Sequence, residues 1–325
     1  MSIGELVLQQ PFTLACGAAL QELKVRYSTY GKPSKEAVFI FPPLAQGAHL
    51  AGGYDEAELA LLTPFERRAK PVGWLDHVVG PGKVIDTDRF FVVAAATLGG
   101  TLGTTGPTSI DPATGRLYGH DFPEITIGDI VHAHALVLDH LEVDRVWAIG
   151  NSLGGLQALE FAIAYPQRIA GLLAMTSSHR PNFFIGQLES LTSSLIRNDP
   201  AFIQGYGEEQ PPGLSSAIYL FHMMAYTRKQ MDYVFANTKF KSLDDLTMRH
   251  VPILDAVSHM RLLAACAHYD GRGERTERLA ALDVCKRLGA VEDDQLFPPA
   301  EVEATGKDLD AECLVVQNPF GHLAF

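Results

Sequence analysis

The stretch VWAIGNSLGGLQALEFAIAY, Val146 to Tyr165, constrains the fold more than any other part of the chain. It begins as a short β-like run and ends as an apolar run of helical length, so a strand must turn into a helix within a few residues. Glycines at 150, 154 and 155 leave room for that corner, and Ser152 sits at its tip in the pattern G-x-S-x-G. Such a corner holds a serine hydroxyl clear of the backbone, where it can act as a nucleophile. The plainer role for the same serine is to cap the helix that follows.

Strand-like runs recur at LKVRYSTYG (23–31), AVFIF (37–41), FFVVAAAT (90–97), VWAIG (146–150) and GLLAMTS (171–177), with helix-length patterns at 126–141 and 153–165. Strands alternating with helices build parallel βαβ units, so the expected class is α/β, a mostly parallel central sheet flanked by helices. From about His179 the sequence is helix-compatible with no convincing strand, as in SSAIYLFHMMAYTRKQMDYVF, and reads as a lid over one edge of the sheet. Strand character returns at LGAVE (288–292) and ECLVVQ (312–317). The expected division is a core over 1–178, a helical lid insertion over 179–284, and the rest of the core over 285–325.

Charge and motif spacing exclude several functions. The net charge of −12 and the lack of a basic patch argue against nucleic acid as a partner. The start, MSIGELVLQQPF, has neither the basic nor the apolar region of a secretory signal, and no apolar run reaches membrane-spanning length. Cys16, Cys266, Cys285 and Cys313 are scattered without C-x-x-C spacing, which suits reduced thiols and a cytoplasmic location. His132 and His134 lie two apart on a predicted helix, do not share a face, and read as surface polar residues; no metal site is expected. LGGTLGTTGPT lacks the G-K-[ST] of a phosphate loop, and GNSLGG has serine where a dinucleotide fingerprint needs its second glycine. Phe221, Met223, Met224 and Tyr226 could line an acyl pocket, although their helical spacing fits core packing better.

A serine hydroxyl needs a histidine to take its proton and a carboxylate to orient that histidine. With this type of corner the chain order is serine, acid, histidine. EDDQLFPP supplies Asp293 and Asp294 after a strand-like run, and NPFGHLAF supplies His322 after the last one. Adjacent side chains on an extended segment point in opposite directions, so only one aspartate can face the histidine.

Several stretches resemble the homoserine O-acetyltransferase family of α/β-hydrolase proteins. The segment Gly73–Asp129 is similar almost throughout, and GNSLGGLQALEFA resembles the family's G-x-S-M-G-G-M-Q-A-L-E-W corner. LACGAAL, AHLAGG, DQLFPP and GHLAF resemble further family blocks, so the likeness spans most of the chain outside 180–289. By matching position, the resemblance implies Ser152 as nucleophile, Asp294 rather than Asp293 as the acid, and His322 as the base. It also implies an oxyanion hole made by the backbone N–H groups of Leu153 and Leu44, the latter in PPLAQGAHLAG. Pro42 and Pro43 stand where the family has His-Ala. A homodimer with its lids near the interface is implied as well.

Two departures bear on the reaction. The family holds the acceptor's carboxylate with a lid arginine and its ammonium with an aspartate after the catalytic histidine. Aligned on Asp199-Pro200, the first position is Ser193, with Arg197 nearby, and the second is Leu323. Burying an unpartnered charge is expensive, so a pocket without these groups favours a neutral partner. The expectation on these grounds is a serine carboxylester hydrolase for small neutral esters, acetate esters first, with no cofactor. The alternative is an O-acetyltransferase moving acetyl from acetyl coenzyme A to homoserine or another alcohol, and a third reading is a non-catalytic binder on the same fold. Relatives usually continue past the G-H-D-A-F block, whereas this sequence stops at Phe325, which implies an absent closing helix or a short chain.

Overall fold

Runs of alternating side chains that must be buried on both faces produce the central sheet of the computed structural model, which describes residues 1–69, 72–207, 209–318 and 321–323. Its strands are β1 (Ser2–Leu8), β2 (Leu23–Tyr30), β3 (Glu36–Phe41), β4 (Phe91–Ala95), β5 (Arg145–Asn151), β6 (Ile169–Met175), β7 (Cys285–Val291) and β8 (Glu312–Val316). They form one eight-stranded sheet in the order β1-β2-β4-β3-β5-β6-β7-β8. β2 runs antiparallel to β1 and β4, and every pairing from β4 to β8 is parallel.

β3 shows how the sequence builds two layers. Ala37, Phe39 and Phe41 enter one apolar cluster, while Val38 and Ile40 enter another on the opposite face, as the period of two requires. In-register pairs Ala37–Phe91, Val146–Ala37 and Gly150–Ala174 bring the C-terminal ends of the parallel strands to one edge. Loops leaving β3, β5, β7 and β8 there carry Leu44, Ser152, Asp294 and His322.

Helix α1 (Ile127–His140) starts at a reciprocal Thr126–Asp129 capping box, and α2 (Leu153–Ala164) is buried from Leu153 to Ile163. One expectation fails on α1. His132 is exposed and lies against the Phe12 ring, but His134 is fully buried between Phe39 and Phe41. Its place four residues from both Ile130 and Leu138 puts it on the apolar stripe facing the sheet.

Between β6 and β7 the described residues form helices and no strand: α3 (Phe183–Arg197), α4 (Pro212–Ala225), α5 (Arg228–Asn237), α6 (Leu243–His250), α7 (Ala256–Ala267) and α8 (Glu274–Ala280), besides shorter turns. α3 packs on α4 and α7. Arg275 of α8 pairs with the buried Glu160 of α2, which ties the end of this helical stretch to the core. Helix α9 (Pro299–Leu309) then covers β7. No helix among the described residues is long and apolar enough to cross a membrane.

Burial fixes the charge state of several histidines. It pushes His134 and His259 down to about 4 and His222 down to about 3, from an ordinary 6.5. The unfolded chain takes up these protons near 6.5 and the folded protein only well below, so acidification favours unfolding. Stability is intact above pH 6.5 and is lost as pH falls toward 4, by about 1.4 kcal/mol per pH unit for each such group. The thermal midpoint is therefore expected to drop between pH 7 and pH 5, and His134→Leu to flatten the drop. A midpoint indifferent to pH over that range would contradict this.

Candidate active site

The corner after β5 is held by close packing that only glycine permits at its two ends. A Cβ on Gly150 would overlap the Gly154 carbonyl, and one on Gly154 would overlap the Phe41 carbonyl at the end of β3. Gly154→Ala is accordingly expected to destabilise the protein by about 2 kcal/mol or more in urea unfolding; an unchanged midpoint would mean that the backbone yields. Between the glycines Ser152 takes φ 56° and ψ −127°, with its N–H donating to the Met175 carbonyl at 2.9 Å. A non-glycine residue with positive φ is strained, and here the strain lifts the side chain off the helix axis. The Ser152 side chain makes no capping hydrogen bond, so the helix-cap role does not apply.

That hydroxyl points to a histidine from the other end of the chain. His322, in the turn Gly321–Leu323 after β8, has Nε2 2.8 Å from Ser152 Oγ. Its Nδ1 lies 2.9 Å from Asp294 Oδ2. The remaining oxygen of Asp294 accepts from the backbone N–H groups of Leu296 and Phe297, at 2.8 and 3.0 Å, so the carboxylate is fixed before the histidine arrives. Both His322 and Asp294 are buried, and the Phe297 ring stacks on the imidazole at 5.8 Å. Asp293 faces the other way, toward solvent, 3.9 Å from Lys229. With Nδ1 as donor to Asp294, Nε2 is left as the acceptor for the serine proton.

The loop after β3 lies against the start of α2, where Gln157 donates to the Pro42 carbonyl at 3.1 Å. Neither the Leu44 nor the Leu153 N–H donates to an acceptor among the described residues. Leu153 is the first residue of α2, so its N–H has no partner within the helix and carries the positive end of the helix dipole. An N–H group without an acceptor, next to a serine hydroxyl, has the chemistry to receive a negative oxygen.

Beside this loop is a cavity of about 630 Å³, within the range of small-molecule sites. Leu44, Phe221 and Tyr226 line it together with His222 and His259. Of the residues considered for an acyl pocket, Phe221 and Tyr226 thus face a cavity, Met224 packs against the core, and Met223 is exposed. Arg68, Lys239 and Arg249 also line the cavity, with no carboxylate at ion-pair distance among the described residues. Sequence reasoning missed these cations because they come from separate short segments with no motif around them.

A family profile described as alpha/beta hydrolase fold matches residues 79–243. The chain is 35% identical to the homoserine O-acetyltransferase of Thermus thermophilus, over 98% of this chain and 86% of that one. The chain belongs to the homoserine O-acetyltransferase family of α/β-hydrolase proteins. Among solved structures similar to this member of the family is the homoserine O-acetyltransferase of Bacillus anthracis, with a TM-score of 0.85 and 25% identity over 99% of this chain and 93% of that one. Esterase E22 has a TM-score of 0.85 and 26% identity over 99% and 95%.

Ester hydrolysis, the reaction expected from positions 193 and 323, is overturned by the family relatives: the homoserine O-acetyltransferases of Thermus thermophilus and Geotalea uraniireducens match at 35% and 33% identity over nearly the whole chain. The reason lies in what two positions can say about a pocket. Ser193 is buried in α3 with its hydroxyl on Glu189 at 2.8 Å and does not line the cavity, and Arg197 is exposed at the end of that helix. Losing an arginine at position 193 does not leave the cavity without cations, since Arg68, Lys239 and Arg249 reach it from elsewhere. Leu323 takes part in the turn after β8; its side chain lies outside the described residues, as do Ala324 and Phe325.

Proposed function

We propose that the protein is an O-acyltransferase that moves acetyl from acetyl coenzyme A to homoserine or another alcohol through an acyl-serine. The observation that carries this reading is the hydrogen-bonded chain from Ser152 through His322 to Asp294, in a protein aligned along its length with homoserine O-acetyltransferases. His322 Nε2 takes the Ser152 proton as Oγ attacks the thioester carbonyl, and Asp294 stabilises the imidazolium. The carbonyl oxygen becomes an oxyanion held by the Leu153 and Leu44 N–H groups. Collapse breaks the C–S bond, and the departing thiolate receives the proton from His322. The acceptor hydroxyl then gives its proton to His322 and attacks the acyl-serine, and the second collapse returns the proton to Ser152 and releases the ester.

Chemistry on the serine is the same for water and for alcohol; binding of the acceptor decides between them. The cationic side of the cavity supports an anionic donor or acceptor there. The test is thiol release from acetyl coenzyme A with and without homoserine, with the product identified by mass. Release that depends on homoserine and yields O-acetylhomoserine is the expected result. Equal release with the acceptor left out sinks the reading.

A further inference from the structure

Beneath the loop that carries Leu44 lies a second, much smaller space of about 30 Å³. Leu44 and Ala45 border it on the loop side, Thr97 borders it from just after β4, and Ser258 and His259 border it from α7. Thr97 Oγ1, Ser258 Oγ and His259 Nε2 are all buried, and none has a hydrogen-bond partner among the described residues. The three residues are 5%, 3% and 3% exposed, so bulk solvent does not serve them. Thr101, which borders the same space, spends its hydroxyl on the Ile253 carbonyl at 2.9 Å. The remaining walls include Leu102, Leu254 and Leu262.

The loop above is itself under strain. Ala45 has φ 65°, a left-handed conformation that costs an alanine roughly 1 to 2 kcal/mol, and the turn is closed by one backbone hydrogen bond, Gln46 N–H to Pro43 carbonyl at 3.2 Å. Something must hold this conformation, because the direction of the Leu44 N–H depends on it. A space of this volume has room for a water molecule, and a buried water requires two to four polar partners. Three unpartnered polar atoms on residues that border the space meet that requirement.

We infer that this space is a binding site for a single ordered water, held by Thr97, Ser258 and His259, which supports the strained loop and so positions the Leu44 N–H. The inference rests on the reading of Leu44 as an oxyanion donor. The two hydroxyls can each donate or accept, and Nε2 of an imidazole kept neutral by burial does one or the other according to its tautomer, so the water's hydrogen bonds can all be directed. Thr97 and Ser258 act through the loop and are positioning residues.

Two measurements decide it. A crystal structure of the full chain should show water density within hydrogen-bond distance of at least two of the three atoms; an empty or apolar-collapsed space overturns the site. Acylation of Ser152 by p-nitrophenyl acetate, followed by the p-nitrophenol burst, needs the oxyanion hole but no thioester and no alcohol acceptor. Thr97→Val with Ser258→Ala should slow the burst rate about tenfold with little change in the ester's apparent affinity, whereas Thr97→Ser, which keeps the hydroxyl, should not. A burst unchanged in the double variant overturns the positioning role while leaving acyl transfer intact. If the wild-type chain is not acylated, the nucleophile reading fails, and the crystallographic result alone decides the water.

Discussion

Ser152→Ala should lower the rate of acetyl transfer by on the order of a thousandfold or more, with the fold unchanged. In the proposed mechanism the hydroxyl forms the covalent bond to the acyl carbon, and among the described residues no other hydroxyl is hydrogen-bonded to His322 Nε2. The loss should appear in kcat, because Ser152 contributes no wall to the cavity beside the Leu44 loop and its truncation leaves that cavity as it is. Structural cost is small, since the side chain makes no capping hydrogen bond and its contact is with the histidine. Alanine tolerates φ 56° no worse than serine does, so the thermal midpoint should move little. A variant that keeps even a tenth of the wild-type rate would show that transfer bypasses an acyl-serine, for instance by direct attack of the alcohol on the thioester.

Asp294→Asn should cost about a thousandfold to ten-thousandfold in kcat, and Asp293→Asn almost nothing. The asparagine oxygen can still accept from the Leu296 and Phe297 N–H groups, so its amide nitrogen is the atom left facing His322 Nδ1. An amide N–H there is a donor and forces Nδ1 to accept, which moves the ring proton to Nε2 and leaves no acceptor for the serine proton. Geometry survives while the tautomer is wrong. Asp293, by contrast, has only an exposed pairing with Lys229 at 3.9 Å, a contact worth well under about 1 kcal/mol in water. Equal losses in the two variants would mean that the aspartates exchange roles in solution.

The aspartate pair also shows how far a sequence reaches. Alternation on an extended segment says that one of the two faces the histidine and cannot say which; position matching in the family chose Asp294, and in the fold Asp294 Oδ2 lies 2.9 Å from His322 Nδ1. His134 shows the opposite case. Polarity and a two-residue spacing from His132 read as a helix surface, but the helix carrying it is covered by the sheet on the side where residue 134 falls. Which side of a helix is covered depends on its partners, and these are distant in sequence.

Local chemistry by itself determined the corner at Ser152, the α/β alternation, the helical stretch between β6 and β7, and the order serine, acid, histidine. These depend on backbone geometry and side-chain period, which neighbours in sequence set. Only the tertiary structure decided that Ser152, Asp294 and His322 meet within 2.9 Å, that Arg68, Lys239 and Arg249 share one cavity, and that three polar atoms surround a small space under the Leu44 loop. Those outcomes join residues as distant in sequence as Ser152 and His322, or Arg68 and Arg249, and the register of the sheet and the packing of the helices between β6 and β7, rather than any local propensity, fix where such residues stand.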